Sequence, residues 1–262
     1  MLKQENYETI LIDKSDGIAT LTLNRPERLN AVNGTLHSEL STIFLDVQAD
    51  PDVRVAVLTG AGRGFSAGGD FSGASMEPKS GLSMMQEARR IVDNILDLEK
   101  PLIAAVNGPA VGLGATIALC CDVVIAAKNA RIGDPHVKMG ITAGDGGAVM
   151  WPLLIGVNRA KYWLMTGELM TADEAMEIGL VNKVVDEGEA LNESMVLARK
   201  LAAGAPYAVQ TTKVSVNKLI KAVSNLVLPL SLSLEEVSMT KEDHREAVKA
   251  FQEKRDPQFT GR

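Results

Sequence analysis

The chain has 262 residues, 46% of them hydrophobic and 23% charged, with 23 glycines, three histidines, two cysteines and a formal charge of −6. That length supplies one large α/β domain with room for a helical appendage, and the apolar fraction excludes a disordered chain. The acidic balance, with a pI near 5.2, speaks against a nucleic-acid partner, and the adjacent Cys120 and Cys121 fit neither a disulfide framework nor metal-ligand spacing.

Residues 8–13 and 18–23 flank Ser15-Asp16-Gly17 and read as a β-hairpin with a glycine turn. Leu36, Leu40, Ile43 and Phe44 recur at helical spacing, and Asp50-Pro51 ends that segment. A β-rich run at 53–58 enters the glycine loop 60–70, and a helix over 84–98, a strand over 102–106, a helix from about Gly114 and a strand over 123–127 follow. Residues 102–121 carry no charge over the length of a bilayer span, yet Asn107-Gly108-Pro109 interrupts them. They read as strand, turn and short helix, and no membrane span is expected. Helices over 147–155 and 159–166 precede Thr171-Ala172-Asp173-Glu174, a capping-box pattern, and after Val184-Val185 residues 188–254 read almost entirely as helix. The alternation from 53 to 185 argues for βαβ units and a largely parallel sheet, with residues 1–195 as an α/β core and 196–262 as a helical region. Met1 to Glu8 lacks an apolar leader core, so the chain is read as cytoplasmic.

Two glycine loops are candidates for chemistry. Gly60-Ala61-Gly62 has Phe65 where a dinucleotide fingerprint needs its third glycine, and no Gly-Lys-Ser/Thr follows, so both phosphate motifs fail. What remains is a loop whose backbone amides can turn outward toward an anion. The second, Gly108-Pro109-Ala110-Val111-Gly112-Leu113-Gly114, leads into a helix, whose N-terminal amides also favour negative charge. Either loop alone is an ordinary connection. Together they suggest two donors converging on one developing oxyanion.

The segments Asn24-Arg25-Pro26-Glu27-Arg28-Leu29-Asn30-Ala31, Gly64-Phe65-Ser66-Ala67-Gly68-Gly69-Asp70, Ala105-Val106-Asn107-Gly108 through Gly114, Cys121-Asp122, and Thr171 to Ala175 with Gly179-Leu180-Val181-Asn182 run in order over nearly the whole chain. In this combination the sequence resembles the crotonase (enoyl-CoA hydratase/isomerase) superfamily. The resemblance implies a spiral core of ββα repeats, a helical C-terminal region that drives trimerisation, often as a dimer of trimers, and an acyl-CoA thioester substrate. It implies that the amides of Gly69 and Leu113 hold the thioester oxygen. It also implies that Arg28, Ala67 and Asp70 contact CoA through the backbone, and that Phe251 and Lys254 match a C-terminal pair that reaches CoA in some members. Lys254 reads equally as a solvated helix charge. No permanently bound cofactor and no metal are implied, since CoA enters with the substrate.

Hydratases of the family use two glutamates, and the corresponding positions here are Thr116 and His136. An imidazole suits general-base work near neutral pH. Nine residues on, Asp145 is placed to accept the other ring N–H, fixing the tautomer; on sequence alone it serves equally well as a helix N-cap. This His/Asp spacing resembles the β-diketone hydrolase branch of the superfamily, which cleaves a carbon–carbon bond with water. His37 also has a histidine counterpart in that branch, or is a helix surface residue. His244 reads as solvated helix, and Glu235 and Glu236 lie where some members of the family place a supporting acid, or else form a charged helix face. The acyl pocket is expected from apolar residues of 71–90, including Met76, Met84 and Met85, whose flexibility suits adaptable binding.

Three functions follow: hydration of a 2-enoyl-CoA through a His136/Asp145 base, hydrolytic carbon–carbon cleavage of a β-keto acyl-CoA, and CoA-thioester binding without catalysis. RNA binding, known for some relatives with a lysine-rich first helix, is not expected, because residues 36–50 hold Glu39, Asp46 and Asp50 and no lysine or arginine.

Overall fold

The computed structural model describes residues 1–72 and 76–262. In chain order the elements begin with β1 (Ile10–Ser15), β2 (Ile18–Leu23), α1 (Gly34–Ala49), β3 (Val55–Gly60), α2 (Met84–Asp97), β4 (Leu102–Val106), β5 (Ala110–Val111), α3 (Leu113–Cys120) and β6 (Val123–Ala127). They continue with β7 (Arg131–Gly133), α4 (Gly147–Ile155), α5 (Val157–Thr166), β8 (Leu169–Thr171), α6 (Ala172–Glu177), β9 (Lys183–Val185), α7 (Ala190–Ala202), α8 (Pro206–Met239) and α9 (Glu242–Glu253).

The hairpin β1–β2 closes on Asp16 and Gly17, whose φ values of 53° and 77° give the left-handed pair that suits a two-residue turn. The main sheet runs β1-β2-β3-β4-β6-β9, and within it every pairing from β2 on is parallel. Both faces are covered, which is why β3 and β4 are buried end to end rather than alternating. Val55, Val57, Ile103 and Ala105 face α7, where Ala190, Ala198 and Ala202 allow close approach. Ala56, Leu58, Ala104 and Val106 face the main core with α1 and α2. The uncharged run 102–121 resolves into β4, β5 and α3, and among the described residues no helix is long and apolar enough to cross a membrane.

A second, small sheet, β5-β7-β8, has strands of two or three residues, too short to leave a periodic signature in the sequence. The expected strand at 8–13 begins at Ile10, the helix expected from Arg159 begins at Val157, and residues 188–254 divide into α7, α8 and α9. Thr171 and Glu174 form the reciprocal capping box.

Candidate active site

The loop leaving β3 is pinned from both sides. Asn30 donates to the carbonyls of Ala61 (2.9 Å) and Gly64 (2.8 Å), and Asn107 donates to that of Gly62 (3.0 Å). Further along, Val32 N donates to Gly68 O at 2.7 Å and Val111 N to Ser66 O at 2.9 Å, so the segment 66–70 lies between Val32 and β5. The contact needs glycine: a Cβ on Gly68, whose φ is +81°, would stand 2.7 Å from the Val111 carbonyl oxygen. The two glycine loops thereby meet backbone to backbone. Gly69 N–H and Leu113 N–H, the latter at the first position of α3, have no hydrogen-bond partner among the described residues. Both residues line one cavity of about 270 Å³.

The same cavity holds the titratable groups. The parallel pairing of β5 with β7 sets Gly112 N against Gly133 O at 2.9 Å, so the turn after β7 brings His136 Cε1 within 3.5 Å of where a Gly112 Cβ would sit. His136 Nδ1 is hydrogen-bonded to Asp134, its Nε2 lies 3.4 Å from Asp145 Oδ2, and Glu235 Oε1 is 4.0 Å away. Thr116 Oγ1 donates to Asp145 Oδ1 at 3.0 Å. Glu235 arrives from α8, which clamps the 142–147 loop: Ser231 Oγ donates to Gly144 O at 2.7 Å, and a Cβ at Gly144 would meet Ser231 O at 2.3 Å.

Burial and charge divide the roles of these groups. Burial disfavours a charge on His136, but the carboxylates of Asp134 and Asp145 outweigh it and hold the imidazole pKa well above the ordinary histidine value. Burial likewise opposes ionisation of Asp145, and the His136 charge with the hydrogen bonds from His136 and Thr116 overcomes it, so Asp145 stays ionised. Burial, reinforced by the negative charge on Asp145, pushes Glu235 up to about 8. Near neutral pH Asp145 is therefore ionised and Glu235 protonated, with the His136 imidazolium between them. Two groups pushed in opposite directions are the usual sign of an acid and a base.

A family model for enoyl-CoA hydratase/isomerase matches residues 13–262. A short-chain-enoyl-CoA hydratase of Clostridium acetobutylicum is 37% identical, over 94% of this chain and 95% of its own. The 1,2-epoxyphenylacetyl-CoA isomerase of Escherichia coli is 36% identical, over 97% and 99%. The crystal structure of an enoyl-CoA hydratase from Mycobacterium avium subsp. paratuberculosis superimposes with a TM-score of 0.89 at 30% identity, over 97% of this chain and 99% of that one. The chain belongs to the enoyl-CoA hydratase/isomerase family. Its parallel-rich sheet and helical C-terminal region are those of the crotonase fold.

Against this crotonase frame, the cavity gathers Ala67, Gly69, Leu113, His136, Asp145 and His37 together with Met76, Met84 and Met85. Residues 73–75 of the expected apolar wall lie outside the described residues. Thr116 stands behind Asp145 rather than at the cavity. Asp70 is buried in an ion pair with Arg25 at 3.0 Å, while Arg28, Phe251 and Lys254 are exposed and not among the described lining residues.

Five expectations need correction. The carboxylate that orients His136 through Nδ1 is Asp134, and the nitrogen left for base work faces Asp145 instead of open space. Asp145 does not cap α4; the cap position is Gly146, and the Asp145 side chain turns inward. Glu235 is 4% exposed while its neighbour Glu236 is exposed, so only one of the pair belongs to a charged face. His244 is partly buried, bonded through Nδ1 to Met139 O at 2.8 Å, and lines the cavity. His37 is no surface residue either: it is 3% exposed, and Nδ1 is bonded to buried Glu87 at 2.6 Å. The sequence signal for Asp134 is its place two residues before His136, a spacing at which a side chain readily turns back on its neighbour.

Proposed function

We propose that the chain is an acyl-CoA-processing lyase of the enoyl-CoA hydratase type, acting on a 2-enoyl thioester without a resident cofactor. One observation carries the reading: two unpaired backbone amides and an acid–base cluster line the same apolar cavity. The thioester oxygen sits between Gly69 N–H and Leu113 N–H. Asp145 takes a proton from water, the water oxygen bonds to Cβ, and the displaced electron pair passes to the thioester oxygen as an enolate held by the two amides. Glu235 gives its proton to Cα, the enolate collapses, and water has been added across the double bond. His136, within 3.4 Å of Asp145 and 4.0 Å of Glu235, then moves a proton from the first to the second and restores the cluster.

The positions Thr116 and His136 lack the carboxylates of the family's hydratases, and this favours a second reading, attack of water on a β-keto group with carbon–carbon cleavage into the same oxyanion site. Turnover of a panel of 2-enoyl-CoA and cyclic β-diketone CoA thioesters separates the two. Hydration of an enoyl-CoA as the fastest reaction supports the first, cleavage as the fastest supports the second, and tight binding without turnover of any would leave a CoA-thioester binder.

The same reading includes self-assembly through residues 196–262. Leu219, Leu226, Leu230 and Leu234 of α8 are exposed, an apolar stripe that favours packing of identical copies. A homotrimer or dimer of trimers is expected by light scattering; a monomer at micromolar concentration would refute it. Cys120 and Cys121 are buried free thiols, which suits a reducing compartment such as the cytoplasm.

A further inference from the structure

We infer that His37 is a specificity residue that hydrogen-bonds a neutral oxygen, a ketone or a hydroxyl, carried by the acyl group beyond the thioester. The inference rests on the acyl-CoA reading above and adds the chemical class of the acyl chain.

All three histidines of the chain line one cavity; His136 belongs to the acid–base cluster and His244 is bonded to the Met139 carbonyl, while His37 is paired with a buried carboxylate of its own. It stands on α1 against α2, in a wall otherwise made of Met84, Met85 and Ala88. Its Nδ1 is 2.6 Å from Glu87 Oε2, and Glu87 is itself fully buried. Ser38 Oγ (2.6 Å) and Ser80 Oγ (2.5 Å) also donate to Glu87. Burial opposes ionisation of Glu87, but these three bonds outweigh it and hold its pKa below the ordinary glutamate value. A buried carboxylate and a buried imidazole are costly in an apolar wall unless their bonds are met. Glu87 is met on both oxygens.

His37 is met on one side only. Nδ1 is spent on Glu87, while Nε2 has no partner among the described residues and belongs to a side chain that lines the cavity. A neutral ring offers an acceptor there, which a hydroxyl can meet, and a charged ring a donor, which a ketone or a hydroxyl can meet, so in either state one hydrogen bond is left for a ligand. The ring orientation is fixed by Glu87, which reduces the entropy that ligand must overcome. His37 lines the same cavity as Asp145 and Glu235, which puts it within reach of a substrate held at the acid–base cluster. The sign of that neighbourhood narrows the partner. Asp145 and Glu235 line the cavity, and Asp145 is ionised, so a carboxylate on the acyl chain would meet like charge. A neutral ketone or hydroxyl would not.

The test uses binding and turnover together. Calorimetry measures the Kd of saturated six-carbon acyl-CoA thioesters that are unsubstituted, or carry an oxo, a hydroxyl or a carboxylate at the distal end. The kcat/KM ratio of oxygen-bearing to plain 2-enoyl-CoA is measured alongside. The variants are His37→Asn, whose amide nitrogen can keep the Glu87 bond while Nε2 is lost, and the pair His37→Leu with Glu87→Met, which removes the buried charge with its partner. Expected is a preference of about tenfold for the oxo or hydroxy acyl group over the plain chain in the wild type, with the carboxylate disfavoured, and its loss in both variants. Equal affinity for the plain and oxygen-bearing chains, a preference for the carboxylate, or a preference that survives both variants would overturn the inference while leaving the acyl-CoA reading intact. If none of the thioesters binds, both readings fall.

Discussion

Replacing Gly68 by alanine drives the two glycine loops apart. A Cβ at this position lies 2.7 Å from the Val111 carbonyl oxygen, on a backbone with φ +81°. An L residue in the left-handed region costs about 1–2 kcal/mol, which lowers the melting temperature by about 2–8 °C in a chain of this size. Ordinary contact at 3.4 Å also requires the carbonyl to retreat by about 0.7 Å. Gly112 and Leu113 follow Val111 directly, so the Leu113 amide shifts against that of Gly69. A misplacement of about 1 Å costs roughly 10²-fold in rate, and loss of an oxyanion donor roughly 10²–10³. Steady-state kinetics on a 2-enoyl-CoA should therefore show kcat reduced about 10²-fold in Gly68→Ala. Gly188→Ala is the control: φ is +87° with nothing within 4 Å of the added carbon, so the backbone strain is matched and kcat is unchanged. A folded Gly68→Ala protein with kcat within threefold of wild type would refute the oxyanion assignment.

Glu235→Gln removes the proton donor and should cut kcat by about 10²–10⁴; in the wild type the rate should fall as pH rises through about 8. The stability sign follows from the same group. Its folded pKa lies above the unfolded one, so its contribution is complete below the ordinary glutamate value and is lost as pH rises toward 8; the melting temperature of Glu235→Gln relative to wild type should climb between pH 5 and 8. Thr116→Val deletes a hydrogen bond that favours ionised Asp145, so the acidic limb of the kcat profile should move to higher pH, which a pH–rate series reads directly. Arg25→Ala strands buried Asp70 and should destabilise by about 3 kcal/mol or more in denaturant unfolding.

The strand–helix order and the two amide loops were legible because they rest on local signals: the Asp16-Gly17 turn, the buried runs of β3 and β4, and glycines at 68 and 112. The cluster around His136 was only half legible. His136 and Asp145 lie nine residues apart on one segment, and their meeting follows from the turn after β7. Glu235 comes from a helix about 90 residues further on, and its burial depends on Ser231 docking onto Gly144. Nothing in Glu235-Glu236 distinguishes the buried member from the exposed one. The role of Asp134 was hidden for a different reason: with His136 expected as a free base, one carboxylate partner sufficed, whereas the folded chain supplies two and thereby turns the ring from a base into a bridge between acids. His37 was ambiguous because helical position alone does not say which face α2 covers.

The most direct measurement is the rate of water addition to 2-butenoyl-CoA by the wild type and by Asp145→Asn, with folding of both verified by melting. Measurable hydration by the wild type and a loss of about 10³-fold in the variant, within the range for removal of a general base, are the predicted result. No hydration by the folded wild type, or a variant that hydrates at an unaltered rate, would contradict the account.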